Sequence, residues 1–187
     1  MIHSPRFAAI LDANVLYPAS LRDFLLCLAE IELYKPKWTD EIQEEWIRNV
    51  LLARADLDRA KLERTKEEMN SAFPDSNITN YVELIDNLNL PDDNDKHILA
   101  AAIRGNTDVI VTFNLKDFPL DYLKRYDIEV QHPDEFILNL ISLDKSKSLQ
   151  ALKNQVKRLK NPPQSKDQVL RTLARCGLYN SVLELKK

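Results

Sequence analysis

Glycine is almost missing from this chain: Gly105 and Gly177 are the only two in 187 residues. P-loops and the dinucleotide-binding fingerprint need several glycines to bring backbone close to phosphate, so both are excluded. Cysteine is as sparse. Cys27 and Cys176 stand far apart in helical apolar patterns, show no zinc spacing, and read as buried thiols. The three histidines, His3, His97 and His132, show no ligand spacing either. No apolar run approaches the roughly 20 residues needed to span a bilayer. The N-terminus lacks a signal peptide's basic segment, apolar core and small-residue cleavage site. The expected location is the cytoplasm, with no membrane partner.

What is present is ordinary globular composition, 44% hydrophobic and 29% charged residues, enough to bury a real core. The length suits one domain of about 140 residues with an appendage. The net charge of −3 hides an asymmetry: residues 143–187 hold 11 Lys+Arg against 3 Asp+Glu, whereas the rest holds 15 against 26. The expected division is a body over 1–143 and a basic helical module over 144–187. The module's charge either meets a polyanion, docks on the acidic body, or forms a solvated face.

Along the chain, Phe7–Leu11 is a short continuous apolar run, as in a strand buried on both faces, and it ends in Asp12-Ala13-Asn14. Ser20 is a candidate cap for a helix from Leu21 to about Glu32. Lys35–Trp38 reads as extended, and Thr39 or Asp40 caps a helix to about Arg54. On that helix Ile42, Trp46, Val50 and Ala53 form the apolar stripe, with Glu45 on its flank. Trp38 and Trp46 read as core. Leu57–Phe73 is helical and rich in charge, and Tyr81–Leu90 also reads as helical. Pro91-Asp92-Asp93-Asn94 is a turn ahead of a helix that runs to Arg104 and stops at Gly105. Asp95 opens the buried stripe of that helix with Ile98, Leu99 and Ala102, an expensive place for a carboxylate unless something stabilises it. His97 lies about 200° round the helix from Asp95, which gives it a surface or packing role. Val109–Val111 is a strand, Thr112–Pro119 a turn, and Asp121–Arg125 a short helix. Ile128–Val130 is a strand and Asp134–Leu143 a helix. Beyond it, helices of about 146–160 and 165–175 form a hairpin.

Alternating helices and short apolar strands imply an α/β fold: a short parallel sheet flanked by helices in three layers, with a small C-terminal helical appendage. Ligands in such sheets bind at the carboxyl edge of the strands. Asp12, Asp95 and Asp117 arrive at that edge by topology, and Glu45 reaches it if its helix lies alongside. Crowded carboxylates must protonate or share a cation. Oxygen-only ligands suit Mg²⁺ or Mn²⁺, and such sites hydrolyse phosphodiesters with one or two ions. Asn14, Thr112 and Asn114 are supporting polar groups at the same edge.

The segments AILDANVLYP, EIQEEW and PDDNDKHILAAAIRGNTDVIVTFNLKDF resemble a PIN domain, in particular the VapC-type toxin ribonucleases of bacterial toxin–antitoxin pairs, over roughly residues 7–142. The tail resembles the extra C-terminal module of a longer subgroup. The resemblance implies a Mg²⁺-dependent endoribonuclease that leaves 5′-phosphate ends, often a homodimer and often silenced by a small antitoxin protein. By position, Asp12, Glu45, Asp95 and Asp117 match the family's four acids. Relatives often carry an acid where this chain has Asn94, so Asp92, Asp93 and Asp95 compete for the metal contact. Two other readings stand beside it. One is a non-catalytic module whose acidic cleft docks a basic partner. The other is a haloacid-dehalogenase-like phosphatase, which LDAN resembles, although the second Asp of that motif is missing.

Overall fold

The computed structural model describes residues 7–187; the first six residues, His3 among them, lie outside the described residues. Four strands form one sheet: β1 (Ala8–Leu11), β2 (Lys35–Lys37), β3 (Val109–Val111) and β4 (Glu129–Gln131), in the order β2-β1-β3-β4, all parallel. All four residues of β1 and all three of β3 are buried, as continuous apolar strands at the centre of a parallel sheet should be. In register, Ile10 pairs with Ile110 and Leu11 with Val111. The connections leave β1 toward β2 and β3 toward β4 in opposite directions, so β1 and β3 flank a topological switch point. The crevice at their carboxyl ends is where open α/β sheets bind ligands.

Eleven helices occur among the described residues, in chain order: α1 (Ala13–Leu16), α2 (Ala19–Glu30), α3 (Asp40–Ala53), α4 (Arg59–Ala72), α5 (Val82–Ile85), α6 (Lys96–Arg104), α7 (Leu120–Leu123), α8 (Pro133–Leu143), α9 (Lys145–Arg158), α10 (Lys166–Arg175) and α11 (Tyr179–Lys186). α6 packs across β1 and β3, α2 against β2 and α7 beside β4, so helices flank the sheet. Trp38 and Trp46 are fully buried, and each ring N–H has a partner, Asn70 Oδ1 at 2.8 Å and Gln43 Oε1 at 2.6 Å. The Arg22 guanidinium lies over the Trp46 ring at 4.3 Å and donates to the Leu16 carbonyl at 2.6 Å. A buried cation is tolerable there because it is both stacked and hydrogen-bonded.

Several expectations need correction. Ser20 does not cap α2. The helix starts at Ala19, with Pro18 at the cap position and its carbonyl accepting from the Arg22 N–H at 2.9 Å. Proline's fixed φ suits that entry and leaves Ser20 inside the helix. The apolar stripe of α3 fades past Ile47: Val50 is only partly buried and Ala53 is exposed, while Gln43 and Ile47 join the core. Tyr81–Leu90 is helical only at Val82–Ile85. Pro91 disfavours helical geometry at Leu90, and Val82 faces solvent while Tyr81, Leu88 and Leu90 are buried. Gly105 does end α6, but at φ −82°, so no left-handed turn requires it. A Cβ there would crowd Ile78 Cδ1, the end of a side chain that could move aside, and come within 3.1 Å of the Ala101 carbonyl.

The tail holds a third helix in addition to the expected pair. α9 packs on α2 and α11 on α8. α9 is capped by Asp144, and α10 opens on a Ser165/Gln168 capping box. α11 takes its cap from far away: the Asp134 carboxylate accepts the Asn180 N–H at 2.9 Å and the Ser181 N–H at 2.8 Å, and the Ser181 hydroxyl donates to the Asp134 carbonyl at 2.8 Å. Burial alone would raise the Asp134 pKa, yet the Ser181 and Asn180 hydrogen bonds outweigh it and hold the group below its ordinary value. Asp134→Ala should therefore cost about 1–3 kcal/mol by stranding buried donors. The check is a lower urea midpoint with an unchanged slope. Of the basic tail residues, Arg158 pairs with Glu30 on α2, and Lys145 with Glu184 at 2.8 Å. Part of the tail's charge is thus met within the protein.

Candidate active site

The hydrogen-bond ladder of the sheet runs one residue past each central strand. The Asp12 N–H donates to the Val111 carbonyl at 3.1 Å, and the Thr112 N–H to the Gln131 carbonyl at 3.1 Å. Asp12 and Thr112 therefore sit side by side at the carboxyl edge. The Thr112 hydroxyl donates to Asp12 Oδ2 at 2.6 Å, and Asn14 Nδ2 donates to the same oxygen at 2.6 Å. Asn14 Nδ2 also reaches Thr112 Oγ1 at 3.1 Å, and Asn14 Oδ1 accepts the Phe113 N–H at 3.1 Å. Thr112 Oγ1 further accepts the Asn114 N–H at 3.0 Å. With both acceptor sites of that hydroxyl filled, its proton has one destination, Asp12.

The D-x-N spacing places Asn14 in the first turn of α1, close enough to reach back to Asp12. Asp12 Oδ1 has one long contact, the Asn14 N–H at 3.4 Å. Asp12 is 3% exposed. Burial raises its pKa, and the Thr112 and Asn14 hydrogen bonds only partly offset that. Asn14 stands where a haloacid-dehalogenase-like enzyme would need its second Asp, and it is committed to Asp12 and Thr112 instead.

Asp95 closes a 3₁₀ turn (Asp93–Asp95) and precedes α6, yet makes no side-chain cap bond to it. The ordinary role of an acid at a helix start is therefore unfilled. Its pKa is pushed up to about 7, first by burial and then by the charges of Asp12, Asp92, Asp117 and Glu45. Of the three acids in this turn, Asp93 is exposed and paired with Lys96 at 2.7 Å, and Asp92 is exposed and bonded to Asn94. Asp95 is the half-buried one. Glu45, on α3, is raised by burial and by Asp12; α3 packs against α1, the short helix that follows Asp12. Asp117 ends the 3₁₀ turn Leu115–Asp117 and is half-buried. Asn114 is exposed, and among the described residues only its backbone joins the network.

Among the described residues no three His, Cys, Asp or Glu side chains stand close enough to grip one ion as they lie. The charges of Asp12, Asp92, Asp117 and Glu45 all reach Asp95, and that of Asp12 reaches Glu45, which places these acids around one edge. A cleft of about 830 Å³ lies elsewhere, between α2, α4 and the C-terminal helices. Its acids are Asp23, Glu30 and Glu68; Glu30 pairs with Arg158, whose charge also reaches Asp23, and Glu68 pairs with Arg64.

Of the surface and packing roles read for His97 in sequence, the structure takes the buried one. The residue is buried on α6, with Nδ1 3.6 Å from Glu41 and Nε2 3.8 Å from Glu45. No local signal marks it, because the contact depends on α3 docking against α6.

No helix among the described residues is long and apolar enough to cross a membrane. A PIN domain model matches residues 8–116, ending one residue before Asp117, and a VapC50 C-terminal domain model matches residues 133–187. The chain is 55% identical to "Putative ribonuclease VapC50" of Mycobacterium tuberculosis (strain ATCC 25618 / H37Rv) over 49 residues, covering 26% of this chain and 29% of that protein. The chain thus spans under a third of the length of the curated relative it matches. No solved structure matches it significantly. With a PIN domain match over more than half its length, a parallel sheet of the expected kind beneath that match, and a VapC50-type C-terminal domain following it, the chain belongs to the PIN domain family.

Proposed function

We propose that this chain is a divalent-metal-dependent endoribonuclease of the VapC type, and the toxin of a type II toxin–antitoxin pair. The observation that carries the reading is the Asp95 carboxyl, pushed up to about 7 by burial and by Asp12, Asp92, Asp117 and Glu45. So much uncompensated negative charge at a switch-point edge suits a hard, oxygen-seeking cation such as Mg²⁺ or Mn²⁺. The donor set fits that ion: four carboxylates and no thiol. Asp12, Asp95 and Asp117 would hold it, and Glu45 would hold a second ion or orient water. A divalent ion bound there lowers the pKa of water and shields the phosphate. Thr112 and Asn14 fix Asp12 through Oδ2, leaving Oδ1 lightly engaged. Asn114, exposed two residues after Thr112, would contact a phosphate oxygen.

Single-stranded or looped RNA is the substrate this reading favours, since sequence-specific RNA recognition concentrates there. The acidic edge also gives a small antitoxin a place to insert an arginine. A homodimer, and a nuclease body over 1–143 with a basic module over 144–187, complete the reading. Both cysteines are free, which suits the reducing cytoplasm. The test is cleavage of a labelled single-stranded RNA by the purified chain. Cleavage should need Mg²⁺ or Mn²⁺, leave 5′-phosphate ends, and stop with chelator. RNA cleavage at full rate in excess EDTA would sink the proposal. An acidic-cleft binding module would show neither cleavage nor metal uptake.

A further inference from the structure

His97 takes no part in the reading above, although it touches the site. Its ring is 7% exposed, and Nδ1 has no hydrogen-bond partner. An imidazole buried in this way carries a desolvation cost that an apolar side chain of similar size would not. Packing alone therefore gives no reason for a histidine here. The neighbours do. Nε2 faces Glu45 Oε2 at 3.8 Å, and Nδ1 faces Glu41 Oε2 at 3.6 Å. That same Glu41 oxygen accepts the Tyr81 hydroxyl at 3.0 Å.

The residues form a line: Tyr81 donates to Glu41, Glu41 borders one edge of the ring, and the other edge borders Glu45, which the charge of Asp12 reaches. Neither ring contact is yet a hydrogen bond, but closing the gap to Glu45 takes only about 0.7 Å. Outer-shell groups that hold a carboxylate or imidazole ligand in place have this layout.

We propose that His97 is a positioning residue for Glu45: its Nε2–H donates to the Glu45 carboxylate and aims it at the Asp12/Asp95 cluster. This rests on the metal-dependent nuclease reading. It assigns the α3–α6 contact a function beyond packing.

The test uses the full chain with Mn²⁺ as probe, followed by calorimetry, thermal melting and steady-state cleavage of single-stranded RNA. His97→Leu keeps bulk and removes both nitrogens; His97→Gln keeps an N–H donor. Leu should weaken Mn²⁺ binding and lower kcat by about 10–100-fold, leaving KM for RNA and the melting temperature no worse, whereas Gln should stay within about threefold of wild type. Mn²⁺ affinity of His97→Leu within about twofold of wild type overturns the proposal, as does a Gln variant no better than Leu; outer-shell losses are larger than that. Should His97→Leu fail to fold, His97→Asn decides, since its shorter amide does not reach Glu45: weakened Mn²⁺ binding supports the proposal and unchanged binding overturns it. Wild-type protein that takes up no Mn²⁺ sinks the nuclease reading itself. Wild-type uptake matched by His97→Leu removes only the role given to His97.

Discussion

Asp12→Asn should cut metal-dependent RNA cleavage by about a thousandfold or more while leaving the protein folded. Asparagine has the shape of aspartate, so the backbone ladder to Val111 and the turn of α1 remain. The negative charge on the most buried of the four acids is lost. Stability should hold or rise slightly, because burial already penalises the ionised Asp12. Cleavage kinetics and a melting curve on the same preparation check both halves. A variant with wild-type rates would remove Asp12 from the chemistry altogether.

Asp95→Asn should separate stability from activity. The Asp95 pKa is raised in the fold to about 7, by burial first and then by Asp12, Asp92, Asp117 and Glu45. A raised acid binds its proton more tightly folded than unfolded. The stability this permits is therefore fully present below the ordinary carboxylate range and is lost as pH climbs through 7. Without divalent ions, the wild-type melting temperature should decline between about pH 5 and pH 8, and Mg²⁺ should restore it. Asp95→Asn should remove that part of the decline. Discounted for partial exposure and solvent screening, the gain at pH 8 is about 1 kcal/mol, or about 2–4 °C for a chain of this size. The same variant should lose RNA cleavage by about a hundredfold or more. If the variant melts no higher than wild type at pH 8 in chelator, the carboxylates are not crowded as described.

The parts of this geometry that were legible in sequence are those set by local pattern. Apolar runs ending in Asp12 and Thr112 had to be strands of a parallel sheet, and strands of one direction bring their ends to one edge. The start of α6 follows from the acidic turn before it and the apolar spacing after it. What stayed hidden depends on contacts between distant segments. Glu45 reaches the site only because Trp46 and Gln43 seat α3 in the core, and glutamates on exposed helices look the same in sequence. His97 was placed by counting round its own helix, which says nothing of the α3 acids across from it. α11 lay beyond a glycine at φ 90° that reads as a terminus, and its cap, Asp134, is 46 residues away. The Tyr81–Leu90 stretch has apolar residues at helical spacing, yet its helix ends at Ile85; Pro91 accounts only for the extended preference at Leu90.

The extension of the sheet's ladder to Asp12 and Thr112 also bears on the molecule's fluctuations. Outer helices of a domain open locally far more often than its central strands separate. Because the deepest acid and the hydroxyl that holds it belong to those strands, they stay in register through such openings. Their alignment is settled once, when the chain folds, and does not have to be found again at each encounter with substrate.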